Sequence, residues 1–235
     1  MGPRGEIREA PSYWWASSLC PVDHLVSAMR QQPCFLESLN HDSRPDGVSP
    51  ELIVIHAISL PPDRFGGPGV EQLFTNRLDP AAHPYYAQIH TLRVSAHYFI
   101  RRTGETLCFV PPEQRAWHAG VSSWRGRERC NDFSIGIELE GCDTLPFEPV
   151  QYEAVAGLLA DLCARFPVAG ITGHSDIAPG RKTDPGPWFS WGHLRRLLAD
   201  AGHGEVGQMV EPEDAADAAD DAFLRWPFPV TARPG

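Results

Sequence analysis

The sequence predicts an α+β protein: a mixed β-sheet flanked by helices, in a single domain. Three observations carry that prediction. Short apolar runs at residues 52–56, 94–100, 133–141 and 168–171 read as strands. Val155, Leu158, Leu159, Leu162 and Phe166 recur at helical spacing, and Leu194, Leu197 and Leu198 do so again. Strands fill the middle of the chain and the main helices come later, which is the order of a sheet covered by helices.

In chain order, residues 1–39 read as an N-terminal extension. Within it, residues 23–29 are expected to form an amphipathic turn or two, with Trp14 and Trp15 packing on the main domain. The turn Arg44-Pro45-Asp46-Gly47 leads into the buried strand 52–56, which ends in His56. Residues 61–69 are a Gly/Pro loop, 70–78 a short helix and 79–86 a loop again. Val94, Ala96, Tyr98 and Ile100 alternate with Ser95, His97 and Phe99 along a strand, and Thr103-Gly104 turns it into a partner over 106–110. In the strand 133–141, Ile135, Ile137 and Leu139 share one face while Gly136, Glu138 and Glu140 share the other. Pro149 suits the first turn of a helix that runs to Phe166 before Pro167. A strand at 168–171 then feeds a Gly/Pro-rich loop, 173–186, and residues 191–201 form a last helix that Gly202 stops. The domain is expected over 40–202, with 203–235 as a flexible acidic tail in which Phe223-Leu224-Arg225-Trp226 docks weakly.

Composition narrows the function classes. A chain of 235 residues can bury one sizeable core, and no apolar run approaches the length of a membrane span. The formal charge of −10 is mostly local: residues 205–221 hold seven acids and no Lys or Arg. The remainder carries only about −3 and no basic stripe, which argues against nucleic acid as partner. None of the six cysteines falls in a C-x-x-C pair, so a thiolate zinc site and a disulfide framework are both disfavoured. The first residues offer no apolar signal core, and Ser17-Ser18-Leu19-Cys20 places a bulky Leu where a lipoprotein cleavage site needs a small residue. The expectation is a cytoplasmic protein.

The chemistry concentrates in the loop 173–186, where His174, Asp176, Arg181, Lys182 and Asp184 fall within eleven residues. Read alone, it could be a solvated polar turn. Two other strand residues change that: His56 ends one strand and Glu138 lies on another. Two neutral imidazoles and a carboxylate form a three-ligand set for a catalytic zinc, and rigid strand ends can bring distant residues within ligand distance. His56 alone would pass for a satisfied core histidine, and Glu138 for an exposed strand residue beside the open space of Gly136. His83, His90, His97 and His118 remain further candidate ligands.

Several stretches, in collinear order, carry a resemblance that covers about residues 40–202. They are Ile55-His56, Phe65-Gly66-Gly67-Pro68, Arg93-Val94-Ser95-Ala96-His97, Arg115-Ala116-Trp117-His118-Ala119-Gly120, Ser134-Ile135-Gly136-Ile137-Glu138-Leu139-Glu140-Gly141, Gly173-His174-Ser175-Asp176 and Lys182-Thr183-Asp184-Pro185-Gly186. Together they resemble the AmpD-type N-acetylmuramoyl-L-alanine amidases, a group related to peptidoglycan-recognition proteins and phage amidases. The resemblance implies the amidase and peptidoglycan-recognition-protein fold, with a zinc ion in an open groove. It implies cleavage of the amide between N-acetylmuramic acid and L-alanine. It assigns His56, His174 and Asp184 as zinc ligands, Glu138 as general base and Lys182 as oxyanion stabiliser, with Trp117, Arg93 and Arg129 as substrate contacts. Ala57 departs from the family, whose members carry Asn after the first zinc histidine, so one polar substrate contact is expected to be missing.

The residue types suit that reaction. Zinc polarises a carbonyl and lowers the pKa of water towards roughly 7. A carboxylate can take the water proton and return it to the leaving amine, and an ammonium can pair with the developing oxyanion. Ser175 reads as a turn hydroxyl, because a ligating His174 cannot also act as its base. The stem peptide of such a substrate is anionic, and Arg125, Arg127 and Arg129 supply guanidinium groups close to Trp117. The expected partner is a 1,6-anhydromuropeptide, met by a monomer in cytoplasmic peptidoglycan recycling. Two rival readings are an exported amidase on polymeric peptidoglycan, which needs a signal segment, and a non-catalytic recognition module, which needs a broken ligand set.

Overall fold

The computed structural model describes residues 33–201. The expectations for Trp14, Trp15, residues 23–29, 203–235 and 223–226 lie outside them. Among the described residues, ten strands and five α-helical segments follow in the order β1 (Cys34–Phe35), β2 (His41–Ser43), β3 (Leu52–Ile58), α1 (Gly69–Phe74), α2 (Pro84–Ile89), β4 (Tyr98–Ile100), β5 (Thr106–Cys108), β6 (Gln114–Ala116), β7 (Ser123–Trp124), β8 (Arg127–Glu128), β9 (Ser134–Glu140), α3 (Pro149–Arg165), β10 (Gly170–Gly173), α4 (His174–Ile177) and α5 (Trp191–Ala201). Six strands form one sheet in the order β1-β5-β4-β9-β3-β10. Only the β4–β5 pair within it is antiparallel, so the sheet is mixed, with helices packed on it. β1 begins before residue 40, so the main sheet draws on residues ahead of that boundary.

The two long strands explain themselves chemically. Leu52-Ile53-Val54-Ile55 and the whole of β9 are buried on both faces, as central parallel strands are. Ile53, Ile55, Ile135, Ile137 and Leu139 pack against Val155, Leu159 and Leu162 of α3 and Leu194 and Leu198 of α5. Each fully buried aliphatic side chain contributes about 1.5–3 kcal/mol. α3 is fastened at its start by Gln151, which is fully buried. Its Oε1 accepts from the Glu148 N–H at 3.0 Å, and its Nε2 donates to Glu140 O at 3.1 Å and Ile100 O at 3.3 Å. The helix start is thereby tied to the ends of β4 and β9. The other sheet face is covered at one end by α1 and α2 through Val70, Leu73, Phe74 and Tyr86, and this leaves the carboxyl ends of β3, β9 and β10 for polar residues.

Four local expectations need correction. The strand over 94–100 is only Tyr98–Ile100. Ahead of it, Ser95 turns to other partners, its N–H to Trp117 O and its hydroxyl to Asn40 O. Residues 79–86 are not all loop, because His83 Nδ1 accepts from the Tyr85 N–H and Pro84 opens α2. The strand at 168–171 runs instead from Gly170 to Gly173, where Ile171 pairs with Ile53 in the core. The loop 173–186 opens with a helical turn, α4, since the Asp176 carboxylate accepts from the Gly173 N–H and the Thr172 hydroxyl. The short strands β1, β2, β6, β7 and β8 carry no periodicity that a sequence reading could detect. The β4–β5 hairpin is present, with Gly104 at φ +83° in its turn, though its second strand ends at Cys108 rather than at residue 110.

Candidate metal centre and active site

His56 and Glu138 stand directly opposite each other in the parallel register of β3 and β9. Side chains alternate along strands, so both point away from the α3–α5 face, and both are buried. His174 follows the last residue of β10, whose Gly173 pairs with Ile55. It therefore arrives beside His56 at the carboxyl end of the sheet, where ligands bind in open α/β sheets. The loop returns through a backbone bond from the Ser175 N–H to Asp184 O (2.9 Å), which sets the Asp184 carboxylate against the two rings.

The three groups converge on one point. His56 Nδ1 and His174 Nδ1 lie 2.9 Å apart, and Asp184 Oδ2 lies 3.1 Å from the first and 3.0 Å from the second. Two imidazole nitrogens and one carboxylate oxygen this close together form a metal-binding triad. Burial pushes the His56 imidazole down to about 4, so it is neutral and fit to ligate at neutral pH. Burial alone would raise Asp184, but the adjoining His174 and His56 rings outweigh it and hold the carboxyl well below its usual range. Glu138 goes the other way: burial first, then the nearby Asp184 charge, raise its carboxyl well above the ordinary value. Its Oε2 is buried and has no hydrogen-bond partner among the described residues. A buried, unpaired carboxylate oxygen beside a metal triad is free to take a proton from water.

Lys182 is exposed, and its ammonium is close enough to the centre to act on both His56 and Glu138. Trp117 is half-buried beside His118, its indole N–H donating to Asp42 Oδ1 at 3.2 Å. Arg93 is exposed and donates to Thr91 O and Leu92 O of its own loop. Arg129 has a left-handed backbone (φ +61°) and pairs with Asp132 at 3.2 Å. It lines a cavity of about 500 Å³ together with Gly120, Ser122, Ile177, Pro179 and Arg181, next to the segment that joins His174 to Lys182. Arg127 pairs with Glu51 and stacks on Phe133, so it serves the fold.

The remaining histidines separate cleanly. His83 caps α2, and His90 is half-buried and bonded to Ala87 O. His97 is buried with Nδ1 accepting from the Gly136 N–H, so its Nε2 donates to Gln114 O. Its imidazole is pushed down to about 3, by burial first and then by the Arg44 guanidinium. His118 lies against the centre, 2.9 Å from His56 Nε2, yet outside the ligand triad. The space beside Gly136 is not open as expected: His118 fills it, and a Cβ there would stand 2.5 Å from His118 Cγ. Ala57 packs against the α3 side of the sheet, facing away from Glu138. Glu140 is no alternative base, because its carboxylate receives the backbone N–H groups of Gly66 and Arg102. Sequence reasoning had His118 only as a further candidate ligand and missed Asn131 and Ser134 as neighbours of the centre, because nothing in their spacing indicates that the 117–120 segment crosses beneath His56.

A histidine-histidine-aspartate triad with a free buried carboxylate, at the carboxyl ends of parallel strands in a mixed sheet, is the site of a metal-dependent hydrolase. The chain belongs to the N-acetylmuramoyl-L-alanine amidase family, whose model matches residues 46–187. It is similar to the 1,6-anhydro-N-acetylmuramyl-L-alanine amidase AmpD of Citrobacter freundii, with 56% identity over 171 residues, 72% of this chain and 91% of that protein. The protein of that name from Escherichia coli strain K12 is 56% identical over 177 residues, 74% of this chain and 94% of its own. A crystal structure of a selenomethionine AmpD derivative superposes with a TM-score of 0.69 at 56% identity, covering 71% of this chain and 94% of that one.

Proposed function

We propose that this chain hydrolyses the amide between the lactyl group of 1,6-anhydro-N-acetylmuramic acid and the L-alanine of a muropeptide, with zinc held by His56, His174 and Asp184. The observation that carries it is the convergence of the three ligand atoms beside the unpaired Glu138 oxygen. The names and near-complete coverage of the relatives support the substrate. Two imidazoles and one carboxylate suit zinc, and three protein ligands leave a position for water or substrate.

Zinc in this site supplies Lewis acidity to the carbonyl and a lowered pKa to water. The residues do the rest. Glu138 accepts a proton as the water oxygen adds to the acyl carbon, then delivers it to the amine of L-alanine, and the C–N bond breaks as the carbonyl re-forms. Its raised pKa favours the protonated form that the second transfer needs. Lys182 pairs with the negative charge that develops on the carbonyl oxygen. Trp117, Arg93 and Arg129 contact the sugar and the stem-peptide carboxylates.

We assign the work to cytoplasmic recycling of soluble wall fragments, performed by a monomer, with residues 40–202, joined by β1 ahead of them, as the catalytic domain. No helix among the described residues is long and apolar enough to cross a membrane. The test compares a soluble anhydromuropeptide with purified sacculi. Faster kcat/KM on the soluble fragment is expected, since discrimination arises from contacts that strengthen in the transition state. Equal or faster release of stem peptide from sacculi would overturn the recycling role and favour an amidase of polymeric peptidoglycan.

A further inference from the structure

Both triad imidazoles turn the same way. The Nδ1 atoms face Asp184, while the Nε2 atoms face one short segment of chain. His174 Nε2 lies 3.1 Å from Ala119 O, and a carbonyl oxygen only accepts, so the His174 proton sits on Nε2. The case of His56 resolves through its neighbours. The Ser134 hydroxyl donates to Cys130 O, so its oxygen is the acceptor for His118 Nε2–H at 3.3 Å. His118 Nδ1 then bears a lone pair, and the proton between the rings, 2.9 Å across, belongs to His56 Nε2. Each triad histidine is left with its Nδ1 lone pair aimed at the metal position.

The segment that receives these two protons is itself held. Asn131 Oδ1 accepts from the backbone N–H groups of both His118 (3.1 Å) and Ala119 (2.8 Å). The Arg181 guanidinium donates to Ala119 O at 2.7 Å and Val121 O at 2.6 Å. Gly136 forms the floor under the His118 ring.

We propose that His118 and Ala119 form a bracket, anchored by Asn131, that fixes the tautomer and orientation of both metal-ligand histidines. His118 is a positioning residue for His56, the Ala119 carbonyl performs that task for His174, and neither touches substrate. The proposal rests on the metal reading of His56, His174 and Asp184. Its physical basis is general: a ligating histidine gives its other N–H to an acceptor, and losing that acceptor weakens metal binding. Here the acceptor for His56 is a second imidazole, which must itself be held in one tautomer, and Ser134 does that.

The test is zinc competition against a chelator of known affinity for wild type, His118→Leu, His118→Asn and Asn131→Ala. Melting temperatures of the metal-free forms are measured alongside. Asn places an acceptor where Nδ1 stood, whereas Leu fills the space without one. His118→Leu and Asn131→Ala are expected to weaken zinc binding by about 10–100-fold. His118→Asn should recover most of that loss, while the two His118 variants melt at similar temperatures. Wild-type affinity in His118→Leu would overturn the bracket and leave the centre standing. Absence of zinc binding by the wild type would overturn the centre and the bracket with it. Should the leucine variant fail to fold, long-range ¹H–¹⁵N spectra of the zinc-loaded wild type decide. The bracket requires Nε2–H on His56, His174 and His118, and a proton on His118 Nδ1 would overturn it.

Discussion

At the scale of single residues, the centre separates groups that hold a metal from a group that moves a proton. His56 is buried, and its ring nitrogens face His174, Asp184 and His118, so its removal should cost the metal before it costs the fold. His56→Ala is expected to lose both zinc and activity, read by elemental analysis and turnover; retention of about one zinc per chain would shift the ligand set to other residues. Glu138→Gln should keep zinc and fold while kcat falls by about 10²–10⁴-fold, the usual contribution of a general acid–base group. A near-normal rate would move the base elsewhere, and Glu140, already engaged by Gly66 and Arg102, would be a poor substitute. Strand ends and a Gly/Pro loop narrowed the ligand candidates in sequence, and it was the family resemblance that singled out His56, His174 and Asp184 from the other histidines. The partners of those ligands were not legible, because the His56–His118 contact spans 62 residues and depends on where a loop crosses the sheet.

At the scale of elements, the register between β3 and β9 decides what faces the centre. A slip of one residue would send His56 and Glu138 into the α3 side and expose isoleucines to the groove. Gly136 shows how tightly this is set. Gly136→Ala should push the His118 ring aside and weaken zinc binding, since the added Cβ meets the ring at 2.5 Å; unchanged zinc affinity in the competition assay would show that the ring has room to move. Gln151 couples α3 to β4 and β9, and Gln151→Ala should lower unfolding stability by about 1–3 kcal/mol, because buried partners lose their hydrogen bonds. Denaturant titration without loss of midpoint would contradict it. The long strands and both long helices were readable from periodicity. The two- and three-residue strands were not, since so few residues show no alternation, and Ser95 left its expected strand for tertiary partners that no local pattern displays.

At the scale of the whole molecule, the sheet protects a set of neutral imidazoles. His97 and His56 are pushed down to about 3 and about 4 by burial, against an ordinary value of 6.5. The unfolded chain therefore binds protons below about pH 6.5 that the folded chain refuses until much lower, so these groups withdraw stability as pH falls through that window. The metal-free protein should melt at a lower temperature at pH 4.5 than at pH 6.5, with a shallower dependence in His97→Asn; equal slopes in variant and wild type would remove His97 from the account. Fold class and the triad could be read from the chain alone, but the bracket behind it required the tertiary structure. The most direct test of the whole account is incubation of the purified protein with a defined 1,6-anhydromuropeptide, before and after chelation and after zinc is restored, with products identified by mass. The account predicts free anhydromuramoyl sugar and an intact stem peptide beginning at L-alanine, lost on chelation and regained with zinc. Cleavage that survives complete removal of metal, or a cut at any other bond, would contradict it.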